Sequence, residues 1–100
     1  LINKKGLTDT EVYKRANLDR RLFSKLRKRE YTPTKKTIFA LILALELNLD
    51  EAIDLLRYAG LAFRPNSTTD IAVKWYLNHK KYNVIDLNIF LMDHGEEPLN

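Results

Sequence analysis

The residues whose types and spacing can do chemistry are concentrated between positions 18 and 29, which read Leu-Asp-Arg-Arg-Leu-Phe-Ser-Lys-Leu-Arg-Lys-Arg. Arginine and lysine donate hydrogen bonds and carry positive charge, so this stretch is suited to binding a polyanion rather than to transforming a substrate. At helical spacing Leu18, Phe23 and Leu26 fall on one side, and most of the cationic residues fall on the other. The pattern therefore predicts a short helix with an apolar side and a basic outer face.

Capping and turn residues define the elements that must hold this stretch. Asp19 is a good N-cap for the basic helix, because its carboxylate can accept free backbone N–H groups. Thr8 and Glu11 form the sequence pattern of a capping box, which starts a preceding helix. Asn17 follows that helix, at a position where a tight turn requires positive φ and asparagine tolerates it. Helix, tight turn and basic helix is the arrangement that lays a helix into the major groove of DNA.

Further helices are predicted on both sides of this pair. They comprise a helix end at residues 1–5 before Gly6, a helix over about 35–47, one from the capping box at 48–51 to Gly60, one from Ser67 to about Asn78, and one from Val84 to about His94. Thr34 and Asn83 are further predicted N-caps, and Gly95 is a predicted helix stop. No stretch has a convincing strand pattern, so the sequence predicts an all-α fold of about five helices plus two C-terminal helices.

The helix over about 35–47 is the most apolar element of the chain. Its predicted core residues are Ile38, Leu41, Ile42 and Leu45. Ala40 and Leu43 extend the apolar surface around the circumference, and a helix that is apolar all round is buried all round. We expect the C-terminal helices to cover this face with their largest apolar side chains, Trp75, Tyr76, Phe90 and Leu91. The alternative is that Ala40 and Leu43 form a homodimer or partner surface. Trp75 is expected to be a core anchor.

Charge is distributed unevenly along the chain. Of its 100 residues, positions 1–36 hold twelve Lys/Arg and four Asp/Glu, a net charge of +8, whereas positions 37–100 hold five and nine, a net charge of −4. A protein with one basic end can steer a polyanion to that end. The segregation coincides with the basic helix, which strengthens the prediction of a polyanion partner.

The sequence lacks the residues that several classes of function require. The chain has no cysteine, and His79 and His94 stand apart from any cluster with ligand spacing, so we expect neither a metal site nor a cofactor. The three glycines are predicted helix stops, so no phosphate-binding loop is expected. We expect no catalytic activity and no small-molecule substrate.

The longest apolar run, 38–45, has eight residues, whereas a membrane span needs about 20. No membrane association is expected, and the absence of cysteine fits a cytoplasmic location. Because the chain begins at Leu1 rather than methionine, we expect it to be a fragment of a longer protein.

From Lys4 to about Leu56 the chain resembles the lambda-repressor-like domain of the Cro/C1-type (XRE) helix-turn-helix family. The matching text is Lys5-Gly6-Leu7-Thr8, Glu11-Val12, Leu18-Asp19, Phe23-Ser24-Lys25-Leu26, Pro33-Thr34, Ala44-Leu45 and Leu49-Asp50-Glu51. The resemblance implies a helix-turn-helix unit over residues 1–60. We expect the helical pair within 61–100 to pack on this unit in the same compact domain.

The resemblance also implies a DNA-binding function, as a transcriptional regulator or as the DNA-targeting domain of a larger protein. The recognition helix would be 19–29, lying in the major groove of double-stranded DNA. The implied base contacts are Arg20, Arg21, Ser24 and Lys25, and the implied phosphate contacts are Thr8, Lys28, Arg29, Lys35 and Lys36. A single unit of this size usually binds weakly, so a homodimer or a fused partner domain is expected.

Three residues depart from the family pattern and keep other functions open. Tyr13 stands where a small residue is usual, Asp9 where a neutral polar group is usual, and Leu22 on the expected open face of the recognition helix. These residues favour an alternative, a protein-interaction or regulatory adaptor domain that keeps the fold without reading DNA. An exposed apolar patch of Leu22 and Tyr13 among the arginines would support that alternative. A third hypothesis is RNA or non-specific polyanion binding through the same basic end.

Overall fold

Six α-helices, and no strand, occupy the residues that the structure, a computed structural model, describes, namely 6–28 and 32–100. The helices are α1 (Asp9–Arg15), α2 (Arg20–Arg27), α3 (Lys35–Ala44), α4 (Leu49–Tyr58), α5 (Thr68–Asn78) and α6 (Val84–Asp93). The prediction of an all-α fold is confirmed. The helix end predicted at residues 1–5 lies outside the described residues. No described helix has both the length and the apolar character needed to cross a membrane.

Every described helix begins at a side chain that caps it. The N-caps are Thr8, Asp19, Thr34, Asn48, Ser67 and Asn83, and each accepts a hydrogen bond from a backbone N–H two or three residues later. The capping boxes predicted for α1 and α4 are both formed. Asn17 has φ of 57°, as predicted for the turn that follows α1. These short-range bonds satisfy N–H groups that have no partner inside a helix.

Helix α3 lies at the centre of the structure and packs against α1, α4 and α6. Its buried residues are Thr37, Ile38, Phe39, Ala40, Ile42, Leu43 and Ala44, and the C-cap Leu45 is buried as well. Ala40 and Leu43 are fully buried, and Leu41 is half-buried. The prediction that this helix is buried all round is therefore confirmed at Ala40 and Leu43 but not at Leu41, which was predicted to be a core residue. Helix α2 packs on α1, while α5 packs on α4 and α6.

The two C-terminal helices bury only part of their large apolar residues. Tyr76 and Leu91 belong to the core as expected, but Trp75 is 47% exposed and Phe90 is 37% exposed. The expectation that Trp75 is a core anchor is wrong, because the side of α5 that faces the core is formed by smaller residues. Each exposed ring instead lies against a histidine one turn later. Trp75 stacks on His79 with ring centroids 3.9 Å apart, and Phe90 is tilted against His94 with ring centroids 4.2 Å apart.

The residues after α6 fold back onto the turn between α1 and α2. Asn100 donates to the Ala16 carbonyl oxygen over 2.5 Å and accepts from the Asn17 side chain over 3.0 Å. Leu99 is 4% exposed, and its N–H donates to the buried Asn88 side chain of α6 over 2.8 Å. This segment ties the α1–α2 turn to α6, so it helps to fix the direction in which α2 leaves the core.

Candidate nucleic-acid interface

Helix α2 is held in place by its apolar side. Phe23 is buried, and its ring centroid lies 5.8 Å from that of Tyr13 on α1. Leu22 and Leu26 are half-buried and pack against the core cluster. Since the three apolar residues of this short helix contact the rest of the molecule, the opposite side of α2 must face solvent.

That opposite side carries the predicted base-contact residues. Arg20, Arg21, Ser24, Lys25 and Lys28 are all exposed and together line an open surface depression of about 460 Å³. At about 100° per residue they span an arc of about 140° around the helix axis. We call these five residues the basic face of α2. The structure thus brings all four predicted base contacts together with Lys28, one of the predicted phosphate contacts.

The four cations of the basic face have no ion pair with any residue of the described ranges, in contrast to cations nearby. Arg27, on the flank of α2, lies 3.7 Å from the Asp9 carboxylate. Arg15 of α1 lies 3.0 Å from the Glu46 carboxylate and 3.7 Å from that of Glu11. The cations of the basic face therefore have no described carboxylate in ion-pair range, which is the state that favours an anionic partner.

The other predicted phosphate contacts have different surroundings. Lys36 Nζ lies 2.9 Å from the Glu97 carboxylate, and this hydrogen bond holds the pKa of Glu97 below its ordinary value. The Thr8 hydroxyl is occupied by its capping box with Glu11. Arg29 lies outside the described residues. Lys28, in contrast to Lys36, has no carboxylate within the described residues that neutralises its charge.

Lys35 belongs to a buried polar junction that the sequence did not reveal. Its Nζ lies 2.5 Å from Asp70 Oδ2, which also accepts from the Arg64 backbone N–H over 2.6 Å. The second oxygen of Asp70 accepts from the Ser67 hydroxyl over 3.0 Å. Asp70 is 3% exposed, so its carboxylate is satisfied inside the protein and Lys35 neutralises it.

The sequence pattern of Ser67 and Asp70 predicted a helix cap but not the ion pair of Asp70 with Lys35. The spacing of three residues is that of an N-cap and its N3 partner, and the structure forms that bond. The pairing with Lys35 spans 35 residues of sequence, and no local pattern reports such a contact. The described residues also contain no group of three His, Cys, Asp or Glu side chains that could hold a metal ion.

The three residues that depart from the family pattern each have a structural explanation. Tyr13 packs on Phe23, and Leu22 packs against the core, both half-buried. Asp9 faces Arg27 across the α1–α2 pair. None of the three is among the exposed large apolar residues, and together they do not form the exposed apolar patch that would support the protein-binding alternative.

No family model, no curated protein and no solved structure matches the chain. The resemblance to the XRE family stays a prediction from the sequence motifs.

Proposed function

We propose that this chain is a DNA-binding module that uses α1, the following turn and α2 as a helix-turn-helix, with α2 in the major groove. The observation that carries the proposal is the basic face of α2, whose four cations are exposed, unpaired within the described residues and confined to one side of an anchored helix. A helix of this kind presents side chains to base edges without first breaking ion pairs. The module would regulate transcription or target a larger protein to DNA.

The roles of the individual residues follow from their positions on α2. Arg20 and Arg21 stand at the start of the helix, the end that enters the groove in this binding mode, and an arginine fork matches the O6 and N7 acceptors of guanine. Ser24 and Lys25 lie one turn further along. Lys28 caps the end of the helix and is placed to contact phosphate, which orients the protein without reading sequence. A two-fold dimer or a fused domain would add the second contact that tight binding requires.

The alternative function, protein interaction through this same end, has less support because Tyr13 and Leu22 are packed against the core. RNA binding draws on the same cations as DNA binding. It differs in its expected target, since the deep major groove of an RNA duplex does not admit an α-helix. The test therefore includes an RNA duplex beside the DNA.

The experiment is fluorescence anisotropy with a pool of random DNA duplexes over a series of salt concentrations, followed by selection of tight binders. The variants are Arg20→Ala and Lys28→Ala, with Arg57→Ala as the matched control. Arg57 is an exposed arginine on α4, 3.9 Å from Asp54. Arg20→Ala is expected to relax the selected consensus at one position, by about 1–3 kcal/mol of discrimination. Lys28→Ala is expected to weaken binding to all sequences alike.

Arg57→Ala should leave both the consensus and the salt dependence unchanged. Absence of DNA binding at low salt, where phosphate contacts are strongest, would overturn the proposal. Equal or tighter binding of the RNA duplex would redirect it to RNA.

A further inference from the structure

The side chain of Asn100 joins the turn between α1 and α2 to helix α6. Its Nδ2 donates to the Ala16 carbonyl oxygen over 2.5 Å. Its Oδ1 accepts from the Nδ2 of Asn17 over 3.0 Å and from the Nδ2 of Asn88 over 3.2 Å. Asn88 belongs to α6 and is 5% exposed. One amide group therefore connects the end of the first described helix with the last one.

Two backbone groups determine how the amides of this network are oriented. The Leu99 N–H can only donate, so the Oδ1 of Asn88 faces it, over 2.8 Å. The Ala16 carbonyl can only accept, so the Nδ2 of Asn100 faces it. With both amides set in this way, the Nδ2 of Asn88 meets the Oδ1 of Asn100 as donor and acceptor. Every bond of the network thus pairs a donor with an acceptor in a single arrangement.

The turn after α1 leaves the Ala16 carbonyl for Asn100 to bind. Helix α1 ends in a Schellman-type turn, with Asn17 in the left-handed region and the Leu18 N–H donating to the Tyr13 carbonyl over 2.8 Å. The Ala16 carbonyl takes no part in that bond. Carbonyl groups at the end of a helix need donors from outside it, and Asn100 supplies one from the other end of the chain.

Helix α2 depends on this turn for its direction. It has eight residues and packs mainly on α1, so it is about 12 Å long, and a tilt of about 10° moves its far end by about 2 Å. A hydrogen bond to a base edge forms over only about 2.7–3.2 Å between donor and acceptor, so a tilt of that size breaks it. A lysine on its flexible stem can still follow a phosphate.

We propose that Asn100 is a positioning residue for the recognition helix. It clamps the α1–α2 turn to α6 and so sets the direction in which α2 presents Arg20 and Arg21 to base edges. This role rests on the proposed function and adds to it, because Asn88 and Asn100 lie outside the helix-turn-helix unit. Loss of the clamp lowers discrimination between DNA sequences more than it lowers affinity for DNA in general, since phosphate contacts tolerate a tilt that base contacts do not.

The test compares two DNA duplexes, the consensus selected by the wild type and a copy mismatched at the position that Arg20→Ala relaxes. Anisotropy gives the ratio of their affinities for the 100-residue chain, and a bidentate arginine contact makes that ratio on the order of 10- to 100-fold. Asn100→Ala should lower the ratio severalfold. Its affinity for random duplexes at low salt should stay close to that of the wild type, because phosphate contacts dominate there.

Tyr76→Phe is the matched control. It also removes a hydrogen bond made to α6, that of Tyr76 to Asp86, but this bond does not reach the α1–α2 turn. Urea unfolding confirms that both variants are folded, and Tyr76→Phe should keep the wild-type affinity ratio. Amide hydrogen exchange gives a second readout without DNA. Asn100→Ala should raise exchange in α2 and leave it unchanged in α4.

An affinity ratio that stays at the wild-type value in Asn100→Ala would overturn the proposed role of Asn100. An equal decrease in Asn100→Ala and Tyr76→Phe would also overturn it, because general stability would then explain the loss. So would wild-type hydrogen exchange in α2 of Asn100→Ala, whatever the DNA result. A wild type that selects no consensus would instead overturn the proposed function, and hydrogen exchange would still decide whether Asn100 holds α2 in place.

Discussion

The basic face of α2 and the junction of Lys35 with Asp70 use the same kinds of side chain in opposite ways. On α2, four exposed cations lie side by side with no described carboxylate in ion-pair range. At the junction, the Lys35 side chain is 24% exposed and lies against the buried carboxylate of Asp70. A cation in the first setting is available to a ligand, whereas a cation in the second is committed to the fold. Residue type alone does not separate the two settings; the neighbours do.

The two settings also differ in energetic consequence. An exposed charge is well hydrated whether or not it has a partner, so its removal costs the protein little stability. A buried carboxylate has given up its water and depends on the donors that replace it. Substitutions in the two regions should therefore change different observables, binding in the first and stability in the second.

The largest expected effect is that of Asp70→Ala on stability. The change leaves the Lys35 ammonium, the Arg64 N–H and the Ser67 hydroxyl without their shared acceptor, and breaking a buried ion pair by removing one partner costs about 3–5 kcal/mol. Urea unfolding measures the loss. The control is Asp54→Ala, whose side chain is 74% exposed and whose removal should cost at most about 0.5 kcal/mol. Equal losses in the two variants would show that the buried carboxylate of Asp70 contributes no more to stability than the exposed one of Asp54.

The next largest effect concerns a second pairing with a carboxylate, between α5 and α6. Tyr76 donates its hydroxyl hydrogen to Asp86 over 2.8 Å, and burial, with help from Asp86, raises the pKa of Tyr76 from 10.0 to about 12. The folded protein therefore holds this proton more tightly than the unfolded chain does. The resulting stability is fully present below pH 10 and is lost as the pH rises from 10 to 12.

Tyr76→Phe should lower the unfolding free energy by about 1.5–3 kcal/mol at neutral pH, the usual contribution of a hydrogen bond to a charged group. The unfolding free energy of Tyr76→Phe should also decrease less than that of the wild type between pH 10 and 12, as measured by urea unfolding at each pH. Tyr58→Phe is the control, since Tyr58 is 95% exposed, and it should keep the wild-type pH profile. A steep alkaline loss that persists in Tyr76→Phe would show that another group causes it.

A third prediction compares a free lysine with a paired one in DNA binding. Lys28→Ala should reduce the slope of log affinity against log salt by about 0.9, the value for one lost phosphate contact. Lys36→Ala should reduce it by less, because Glu97 already neutralises Lys36. Anisotropy over a salt series measures both slopes. If the two variants reduce the slope equally, the ion pair of Lys36 opens in the complex, and the contrast between free and paired cations does not hold for binding.

The sequence predicts well whatever depends on neighbours three or four residues away. Thr8 and Asn48 cap helices as predicted, because a capping side chain and its N–H lie within one turn. The basic side of α2 was predictable for the same reason, since a single helix of known period determines which of its residues share a side. The pattern could not show that the cations would stay unpaired, because their possible partners lie on other elements.

Burial of whole side chains was less predictable where a helix is apolar on more than one side. Trp75 has the largest side chain of α5, yet the helix buries Val73 and Leu77 and leaves the tryptophan half-exposed. Which side of such a helix faces the core depends on the shapes of α4 and α6, and no local signal encodes that choice. The ion pair of Lys35 with Asp70 was unpredictable for the same reason, as it depends on how distant segments meet.

The smallest expected effect, and the one that tests the basic face most directly, is that of Asp9→Asn. Asp9 and Arg27 are each about half exposed and 3.7 Å apart, so the loss of their ion pair should cost at most about 1 kcal/mol of stability. In the DNA complex proposed here the same change removes a negative charge beside α2 and frees Arg27. Affinity should therefore rise severalfold at low salt and return towards the wild-type value at high salt, as anisotropy would show.

The matched control for this change is Asp54→Asn, which removes an equal charge from an equally weak pair with Arg57 on α4. If only position matters, Asp9→Asn raises affinity and Asp54→Asn does not. A screened surface charge acts only over about 10 Å at 0.1 M salt, so position is expected to matter. If both variants raise affinity equally, DNA responds to the net charge of the protein and not to the basic face of α2. The pair of variants thus distinguishes binding through a docked recognition helix from non-specific attraction by the net positive charge. Measurements on the wild type alone would not separate the two.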